Sequence, residues 1–305
     1  MSSMSYVVGV DGGGTHTRCL CATIQGEILA EAQTGAANPL RVGVPACVQT
    51  VVECILTACA KARLAEPPAC VYCCLAGVGR ETEYNAVLTG LSEALQVPHL
   101  YLDNDAEAAL AGAHRLEPGI IVIAGTGAVA YGKDKTGRRA RADGWGPVLG
   151  DEGSGAWIGR EVVRAIARAA DGRGPQTALT EAVLAHFELN NPTQLINKLP
   201  LDADLNLKLA GLAEICSQVA GRNDPVAVEL LNRTGEILAQ TVLALTSQFE
   251  ADADLPVAYS GGVFESEIVR QVFCEYLMVK APRIRVIVKQ LLPVEGSILL
   301  ALSKL

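Results

Sequence analysis

The sequence predicts an α/β protein with two lobes, each built around its own sheet. Three observations predict this fold class. The chain has 305 residues, about twice the size of a common domain. Of these residues 50% are hydrophobic but only 4% are aromatic, a balance typical of aliphatic strand and helix layers. A pattern of strand, glycine turn, strand, turn and strand also occurs twice along the chain, which indicates a duplicated sheet.

The first copy of this pattern opens the chain. Residues 6–10 are rich in β-branched side chains and predict a strand, which a glycine turn follows at residues 11–15. Residues 15–24 predict a second strand, residues 25–26 a tight turn and residues 27–33 a third strand. Apolar spacing then predicts alternating helices and strands, at 46–63, 69–75, 82–95, 99–102 and 106–116.

The second copy begins just after Glu117 and Pro118, where we place the boundary between the lobes. Its three strands are expected at 119–124, 128–133 and 138–142. The glycine turn of this copy lies at 125–127. The first lobe is therefore expected to span residues 1–117 and the second lobe residues 118–292.

The second lobe carries a long helical insertion at about residues 154–250. Within it, Asp224 and Pro225 have the types expected for an N-cap and a first helical residue. Sheet patterns then resume, with elements expected at 256–260 (strand), 261–262 (glycine turn), 264–279 (helix), 283–289 (strand) and from Pro293 onward (final helix).

Charge and hydropathy exclude several classes of protein. The net charge is −8 and no stretch concentrates lysine or arginine on one face, so a nucleic-acid partner is not expected. No apolar run approaches the ~20 residues that cross a bilayer, so a membrane partner is not expected either. The first residues lack the pattern of a secretory signal, which favours a cytoplasmic protein.

The ten cysteines are interpreted as core residues. Cys70 and Cys73 have the spacing of a redox or metal pair, but residues three apart in a strand point to opposite faces. The four histidines are scattered and offer no ligand spacing. Core packing is therefore favoured over a metal site or a disulfide.

Three glycine turns follow short apolar strands, and glycine lets backbone N–H groups approach phosphate oxygens closely. Neither a Walker loop nor a dinucleotide fingerprint fits: no Lys-Ser/Thr and helix follow Gly14, and a strand follows Gly127. Phosphate-binding hairpin loops are the remaining interpretation. The turns comprise Gly12, Gly13 and Gly14; Gly125, Thr126 and Gly127; and Gly261 and Gly262.

Asp11 lies at the end of the first strand, inside the first glycine turn. With no lysine nearby, a carboxylate beside phosphates is expected to hold a hydrated Mg²⁺, through water; the alternative is an aspartate that only forms the turn. Thr15 offers a hydroxyl to phosphate, or is an ordinary strand threonine.

Asp105 ends a strand and opens a helix, which is where α/β proteins place their chemistry. A carboxylate there suits the acceptor of a hydroxyl proton in phosphoryl transfer. Two alternatives stand beside this hypothesis: Asp105 caps the helix, or Asp103 has the role instead.

Further polar residues are candidates for substrate contacts. In the loop from Gly144 to Ser154, Asp151 binds substrate hydroxyls or caps the following helix, and Glu152 complements the helix dipole. Asn38, which precedes a proline, binds sugar hydroxyls or initiates a turn.

Together these segments resemble the actin-like sugar-kinase superfamily. The branch matched best is that of the N-acetylglucosamine and glucosamine kinases, grouped with the BadF/BadG/BcrA/BcrD ATPase family. The resemblance covers essentially the whole chain. It rests on the order and spacing of six segments: Val10–Thr15, Asp105-Ala106, Ala124–Gly127, Gly150–Ser154, Ser260–Gly262 and Pro293–Gly296.

The resemblance implies a two-lobe actin-like ATPase fold, a duplicated ribonuclease H-like fold with the nucleotide in the interlobe cleft. It also implies that the final helix, residues 293–305, completes the first lobe. The cofactors implied are ATP and Mg²⁺, and the reaction is phosphorylation of an amino sugar at its 6-hydroxyl. A homodimer is expected.

The resemblance also implies roles for individual residues. Asp105 would be the base facing the 6-hydroxyl, and Asp11 would hold Mg²⁺. Phosphate and nucleotide contacts would come from Asp11, Gly12, Gly13, Gly14, Thr15, Gly125, Thr126, Gly127, Gly261, Gly262 and Val263. Sugar contacts would come from Asn38, Gly144, Trp145 and Asp151.

Two features keep alternatives open. Many relatives carry serine, and often asparagine soon after, where this chain has Ala128 and Val129, so glucosamine stands beside N-acetylglucosamine as an expected substrate. The second hypothesis is a non-kinase ATPase of the type that activates CoA-ester dehydratases. Those activators bridge a dimer through an iron–sulfur cluster on exposed cysteines.

Overall fold

The structure, a computed structural model, describes residues 5–202, 204–249 and 255–305. The ends of the predicted first lobe and helical insertion, residues 1–4 and 250, lie outside these ranges. The chain divides into two compact units. Unit 1 comprises the residues up to Glu117 together with Val288–Leu305, and unit 2 comprises Pro118–Ile287. The lobe boundaries predicted from the sequence follow residues 117 and 292, whereas the boundaries between these units follow residues 117 and 287.

Unit 1 contains one five-stranded mixed sheet. Its strands are β1 (Tyr6–Gly12), β2 (Thr17–Thr23), β3 (Ile28–Thr34), β4 (Cys70–Leu75) and β5 (Leu100–Asn104). The spatial order is β3-β2-β1-β4-β5. The first three strands are antiparallel, while β4 and β5 run parallel to β1. The predicted meander and both later strands are thus present, with bounds shifted by one or two residues.

Four helices of unit 1 lie between these strands or follow them. They are α1 (Pro39–Val42), α2 (Val44–Lys61), α3 (Glu81–Leu95) and α4 (Asp105–His114). The one-turn helix α1 was not expected, because four residues are too few to show helical periodicity. Its first residue is a proline, and Asn38 caps it by accepting the backbone N–H of Leu40 at 2.9 Å.

The sheet of unit 1 is buried on both faces. One face packs with α2 and α3, and Cys73 lies in this cluster together with Val51 and Leu91. The opposite face includes Cys70 and Cys74. The prediction that Cys70 and Cys73 point apart is therefore confirmed. A continuous apolar strand such as β4 is what burial on both faces requires.

Unit 2 repeats the same sheet topology. Its strands are β6 (Gly119–Ala124), β7 (Ala128–Lys133), β8 (Arg139–Asp143), β9 (Val257–Ser260) and β10 (Val286–Ile287). The spatial order β8-β7-β6-β9-β10 is that of unit 1, strand for strand. The duplicated two-lobe α/β fold predicted from the repeated pattern is confirmed.

The helices of unit 2 are α5 (Gly155–Ala170), α6 (Leu179–Phe187), α7 (Leu195–Lys198), α8 (Leu205–Ala220), α9 (Pro225–Thr246) and α10 (Glu267–Lys280). Asp224 is the N-cap of α9, since its carboxylate accepts the N–H groups of Val226 and Ala227. The predicted helix 264–279 is instead two elements: a 3-10 turn at Gly262–Glu265, then α10. Ser266 separates them with extended backbone.

The last helix, α11 (Pro293–Leu302), packs in unit 1 against α4 and β1. The helix approaches α4 and β1 so closely that only glycine fits at two of the contact positions. A Cβ on Gly296 would lie 2.1 Å from the carbonyl oxygen of Ala108, and one on Gly9 would lie 2.6 Å from the backbone nitrogen of Ile298. Ser297 donates its hydroxyl to the carbonyl of Val10 at 2.9 Å. The final helix therefore completes the core of unit 1.

Nine of the ten cysteines are buried and Cys274 is half-buried, which confirms their interpretation as core residues. Within the ranges described, no cluster of three potential metal-ligating side chains occurs. Helix α2 is long and apolar enough to cross a membrane by length and composition. Its buried residues, which include Cys47, Val51 and Cys54, pack into the core of unit 1.

Candidate active site

The phosphate-loop candidate lies at the carboxyl end of β1. Strands β1, β4 and β5 are parallel neighbours, so Gly12, Leu75 and Asn104 end at the same edge of the sheet. The crevice outside this edge is where such sheets bind ligands. Unit 1 therefore brings the loop from Asp11 to Thr15 and the segment from Asp103 to Asp105 to one edge.

Backbone hydrogen bonds fix the conformation of the glycine turn at this edge. The N–H of Gly13 donates to the carbonyl of His16 at 2.9 Å, and the N–H of Ala37 donates to the carbonyl of Gly13 at 3.1 Å. A Cβ on Gly12 would lie 2.5 Å from Cδ2 of Leu75, so a larger residue there would displace this buried side chain. Gly13 and Gly14 are half-buried and Thr15 is exposed. The turn thus presents backbone and a hydroxyl to solvent, as a phosphate loop does.

The carboxylate of Asp11 is in an unusual electrostatic environment. Burial, and then the negative charge of Asp105, raise its pKa from 3.8 to about 7, and the charge of Arg18 opposes the rise. A carboxylate that is costly to ionise alone is stabilised by a nearby cation. With no cluster of three protein ligands in the described residues, Asp11 fits a hydrated Mg²⁺ held mostly by water and phosphate.

The three polar residues at the end of β5 have separate roles. Asn104 is the N-cap of α4, since its side chain accepts the N–H of Glu107 at 3.1 Å. Asp103 orients this cap, because its Oδ1 accepts the backbone and side-chain N–H groups of Asn104 at 2.8 and 3.1 Å. Asp105 is the first residue of the helix, so the alternative that Asp105 is the N-cap is wrong.

Asp105 is, like Asp11, a half-buried carboxylate at this edge. Burial raises its pKa, although the N–H groups of Ala106 and of Asp105 itself partly stabilise the charge. A carboxylate with a raised pKa at a ligand-binding edge is a good proton acceptor for a reacting hydroxyl.

Asn38 lies against the loop that follows β4. A Cβ on Gly77, which has φ +83°, would lie 2.2 Å from Asn38 Oδ1. That oxygen also caps α1, so the turn interpretation of Asn38 is correct. Its amide nitrogen is the part of the side chain that is suited to donate to a ligand oxygen.

The glycine turns of unit 2 also meet at one edge. Strands β6 and β9 are parallel neighbours, with Ile123 opposite Ser260. Gly261, at φ +104°, lies so close to β6 that a Cβ would be 2.2 Å from the carbonyl oxygen of Ala124. Unit 2 therefore brings the Gly125–Gly127 turn and the Gly261–Gly262 turn together.

The first turn of α5 supports the Gly125–Gly127 turn. The N–H of Gly155 donates to the carbonyl of Gly125 at 2.7 Å, and the N–H of Ala156 donates to that of Thr126 at 3.3 Å. Ser154 is the N-cap of α5, so the alternative that Asp151 caps this helix is wrong. Val263, expected at the nucleotide, has a buried side chain and can offer only its backbone.

The loop between β8 and α5 carries the other expected sugar contacts. Gly144 has φ +73° and Trp145 is 65% exposed, its ring under the guanidinium of Arg141 at 5.0 Å. Asp151 Oδ1 accepts the N–H of Gly146 at 3.3 Å. A Cβ on Gly127 would lie 2.8 Å from Asp151 Oδ2, so this carboxylate touches the glycine turn.

Sequence reasoning missed three residues at these edges. Arg18 lies directly opposite Asp11 in the β1–β2 ladder, Arg41 donates to the carbonyl of Gly14, and Asp143 binds the loop that holds Asp151. Pairing the predicted hairpin strands residue by residue would have found Arg18. No local pattern indicates the other two, since both act through tertiary contacts.

Two copies of one sheet topology, with glycine turns at the strand ends and half-buried carboxylates beside them in the first copy, define the class of the actin-like ATPases. Within that class the chain belongs to the BadF/BadG/BcrA/BcrD ATPase family, whose profile matches residues 8–301.

Two characterised relatives and one solved structure are similar over most of their length. The chain is 28% identical to the N-acetylmuramic acid/N-acetylglucosamine kinase of Clostridium acetobutylicum, with 99% of both chains covered. It is 31% identical to the glucosamine kinase GspK of Vibrio cholerae, with 79% of this chain and 81% of that one covered. A Chromobacterium violaceum structure assigned as an N-acetylglucosamine kinase has a TM-score of 0.81 at 31% identity, covering 98% of this chain and 99% of that one.

Proposed function

We propose that this protein is an ATP-dependent kinase that phosphorylates an amino sugar, N-acetylglucosamine or glucosamine, at its 6-hydroxyl. The observation that carries the proposal is the pair of half-buried carboxylates, Asp11 and Asp105, at one sheet edge beside a glycine turn. The names of the relatives support the same substrate class.

ATP would be held largely by backbone. Because the N–H of Gly13 already donates to His16, Gly14 and Thr15 would offer the backbone N–H groups of this turn to phosphate oxygens, and Thr15 also its hydroxyl. The family resemblance implies that the Gly125–Gly127 turn and the Gly261–Val263 segment would also contact the nucleotide; within that turn the N–H of Gly125 already donates to Gly127. Arg18, whose charge already acts on Asp11, would add positive charge near the phosphates.

Mg²⁺, when bound, would neutralise charge on the phosphates of ATP. Asp11 is the residue that would hold it, through water. The position of Asp11 near the end of β1, beside the glycine turn, supports this assignment, and the raised pKa of its carboxyl agrees with it, since a neighbouring cation would restore the ionised form.

Asp105 would be the general base. As the 6-hydroxyl oxygen forms a bond to the γ-phosphorus, the bond from that phosphorus to the bridging oxygen of ADP breaks, and the hydroxyl proton passes to Asp105. Because the transition state of phosphoryl transfer is loose, positioning of the hydroxyl contributes more than strong proton abstraction. Asn38, Gly144, Trp145 and Asp151 would supply that positioning.

The choice between the two amino sugars depends on how the acetyl group is recognised. Ala128 and Val129 offer no side-chain donor for an acetyl oxygen. Val129 instead packs against Gly144, where a Cβ would lie 2.9 Å from its Cγ2. Glucosamine is therefore the first substrate to test.

The activator hypothesis requires exposed cysteine ligands for an iron–sulfur cluster. Nine of the ten cysteines are buried, so the kinase is favoured. The homodimer and the cytoplasmic location stay predictions from sequence.

An ADP-release assay tests the proposal. Glucosamine, N-acetylglucosamine, N-acetylmannosamine and glucose are compared as acceptors, and we expect strong stimulation by at least one of the two glucosamines. Asp105→Asn is expected to lower kcat by about 10²–10⁴-fold with the KM for ATP unchanged. Asp103→Asn tests the alternative base; because the Asp103 carboxylate binds Asn104 of the α4 cap, we expect this variant to retain most of the activity. Failure of every sugar to stimulate ADP release, or full activity of Asp105→Asn, would contradict the proposal.

A further inference from the structure

Asp143, the last residue of β8, has a backbone conformation that is uncommon for a residue with a side chain. Its φ is +64°, in the left-handed region that glycine adopts without cost and aspartate or asparagine adopts with local hydrogen bonding. The next residue, Gly144, also has a positive φ. The chain therefore turns sharply out of β8 into the loop of residues 144–153.

The carboxylate of Asp143 binds the far end of that loop. Its Oδ1 accepts the N–H of Asp151 at 2.8 Å, and its Oδ2 accepts the N–H of Glu152 at 2.9 Å. Both oxygens are thus used on consecutive backbone amides. Hydrogen bonds from amides to an ionised carboxylate are stronger than those between neutral groups, so one side chain closes the loop at its base.

Packing around this carboxylate is close. A Cβ on Gly150 would lie 2.2 Å from Asp143 Oδ1 and 3.1 Å from the Cβ of Trp145. The segment that leads into Asp151 therefore folds directly over the Asp143 side chain. The loop and the Asp143 carboxylate therefore pack tightly against each other.

Asp151 connects the 144–153 loop to the Gly125–Gly127 turn of the proposed nucleotide site. Asp151 accepts the N–H of Gly146 and its Oδ2 contacts Gly127. Its φ of +56° shows that its orientation is held against the usual backbone preference. Burial and then the negative charge of Asp143 raise the pKa of Asp151, and the positive charge of Arg160 opposes the rise.

We propose that Asp143 is a positioning residue that closes the 144–153 loop and thereby presents Asp151 and Trp145 to the sugar. The inference rests on the proposed function for its consequence in sugar binding. Its structural part, the closure of the loop, stands on the two hydrogen bonds alone. Both of these hydrogen bonds join the Asp143 side chain to the backbone of the loop.

Two variants distinguish the effect of the Asp143 carboxylate from the effect of its left-handed backbone conformation. Asp143→Gly keeps the left-handed conformation available and removes both acceptors. Asp143→Asn keeps the shape and one acceptor oxygen, but turns an amide nitrogen toward a donor. The matched control is Asp134→Gly, because Asp134 Oδ1 likewise accepts two backbone N–H groups, those of Thr136 and Arg138, in the β7–β8 turn.

The first measurement is amide hydrogen exchange of residues 144–153 in the full chain without ligand. We expect exchange at least about tenfold faster in Asp143→Gly, the factor that corresponds to a loss of ~1.4 kcal/mol, an intermediate rate in Asp143→Asn and the wild-type rate in Asp134→Gly. Unchanged exchange in Asp143→Gly would overturn the inference.

The second measurement is steady-state kinetics with the accepted sugar. The KM for sugar should rise about tenfold or more in Asp143→Gly, with the KM for ATP nearly constant, whereas Asp134→Gly should change neither. Faster loop exchange with an unchanged KM for sugar would show a merely structural role and overturn the inference. If the wild-type chain phosphorylates no amino sugar, the proposed function fails, and the exchange rates still decide whether Asp143 closes the loop.

Discussion

Replacement of Gly261 by alanine tests the close approach of β9 to β6. The residue has φ +104° and ψ 158°, a region that is almost restricted to glycine and costs an L-residue ~1–3 kcal/mol. The added Cβ would also lie 2.2 Å from the carbonyl oxygen of Ala124, so the strands must separate. We expect a loss of about 3 kcal/mol, which lowers the Tm of a unit of this size by about 6–12 °C.

The assay is thermal unfolding by calorimetry, followed by the KM for ATP. Since Ala124 directly precedes the Gly125–Gly127 turn, the KM for ATP should rise as well. Gly262→Ala is the matched control for the melting temperature alone, because no atom lies within 4 Å of its Cβ position and its φ is outside the left-handed region. Equal melting temperatures for the two variants would refute the reasoning.

Three further predictions concern electrostatics, thiol accessibility and the sugar loop. Because the pKa of Asp11 is raised to about 7 in the folded protein, its stabilising contribution is present below the unfolded value of 3.8 and is lost as the pH rises through 7. In EDTA, the Tm of Asp11→Asn should therefore exceed that of wild type by an amount that grows from pH 4 to pH 8, and a constant difference would contradict this cause. Titration with a thiol reagent should detect about one cysteine in the native protein, Cys274, and ten after denaturation; several fast-reacting native thiols would contradict the packing. Trp145→Ala should leave the Tm nearly unchanged, since the side chain is 65% exposed, while the KM for sugar rises; an unchanged KM would remove Trp145 from the site.

Much of the fold was predictable because its signals are local. The β-hairpins of both units follow from short apolar strands separated by Gln25-Gly26 and Thr136-Gly137, and each turn lies where expected. The predicted strand at 283–289 is much shorter in the structure. Its alternation of apolar residues is clear, but its parallel partner β9 spans only Val257–Ser260, and pairing is limited to Val286 and Ile287. Strand length there is set by the partner.

The candidate site was predictable to the extent that it lies at strand ends. The glycine turns lie at strand ends, as do Asp11 and Asp105. Neighbouring parallel strands end at the same edge of a sheet, so these groups are expected to lie together there. Arg18 and Asp143 were missed because their positions depend on ladder register and on hydrogen bonds across a loop. The capping role of Asn104 was also missed, since three polar residues in a row give no local indication of which one faces the helix.

The packing of α11 on β1 and α4 has a consequence for synthesis of the chain. Unit 1 begins with the first strand but closes only with the last helix, so all of unit 2 must be translated in between. At 5–20 residues per second this delay is on the order of ten to thirty seconds. During it the face formed by Val7, Leu20 and Cys74 lacks Val294 and Ile298, its partners in the finished core. Until α11 emerges, Ala108 and Ala111 of α4 are the helical residues that cover this sheet face, so the face is partly exposed and the nascent protein is most prone to aggregation during this interval.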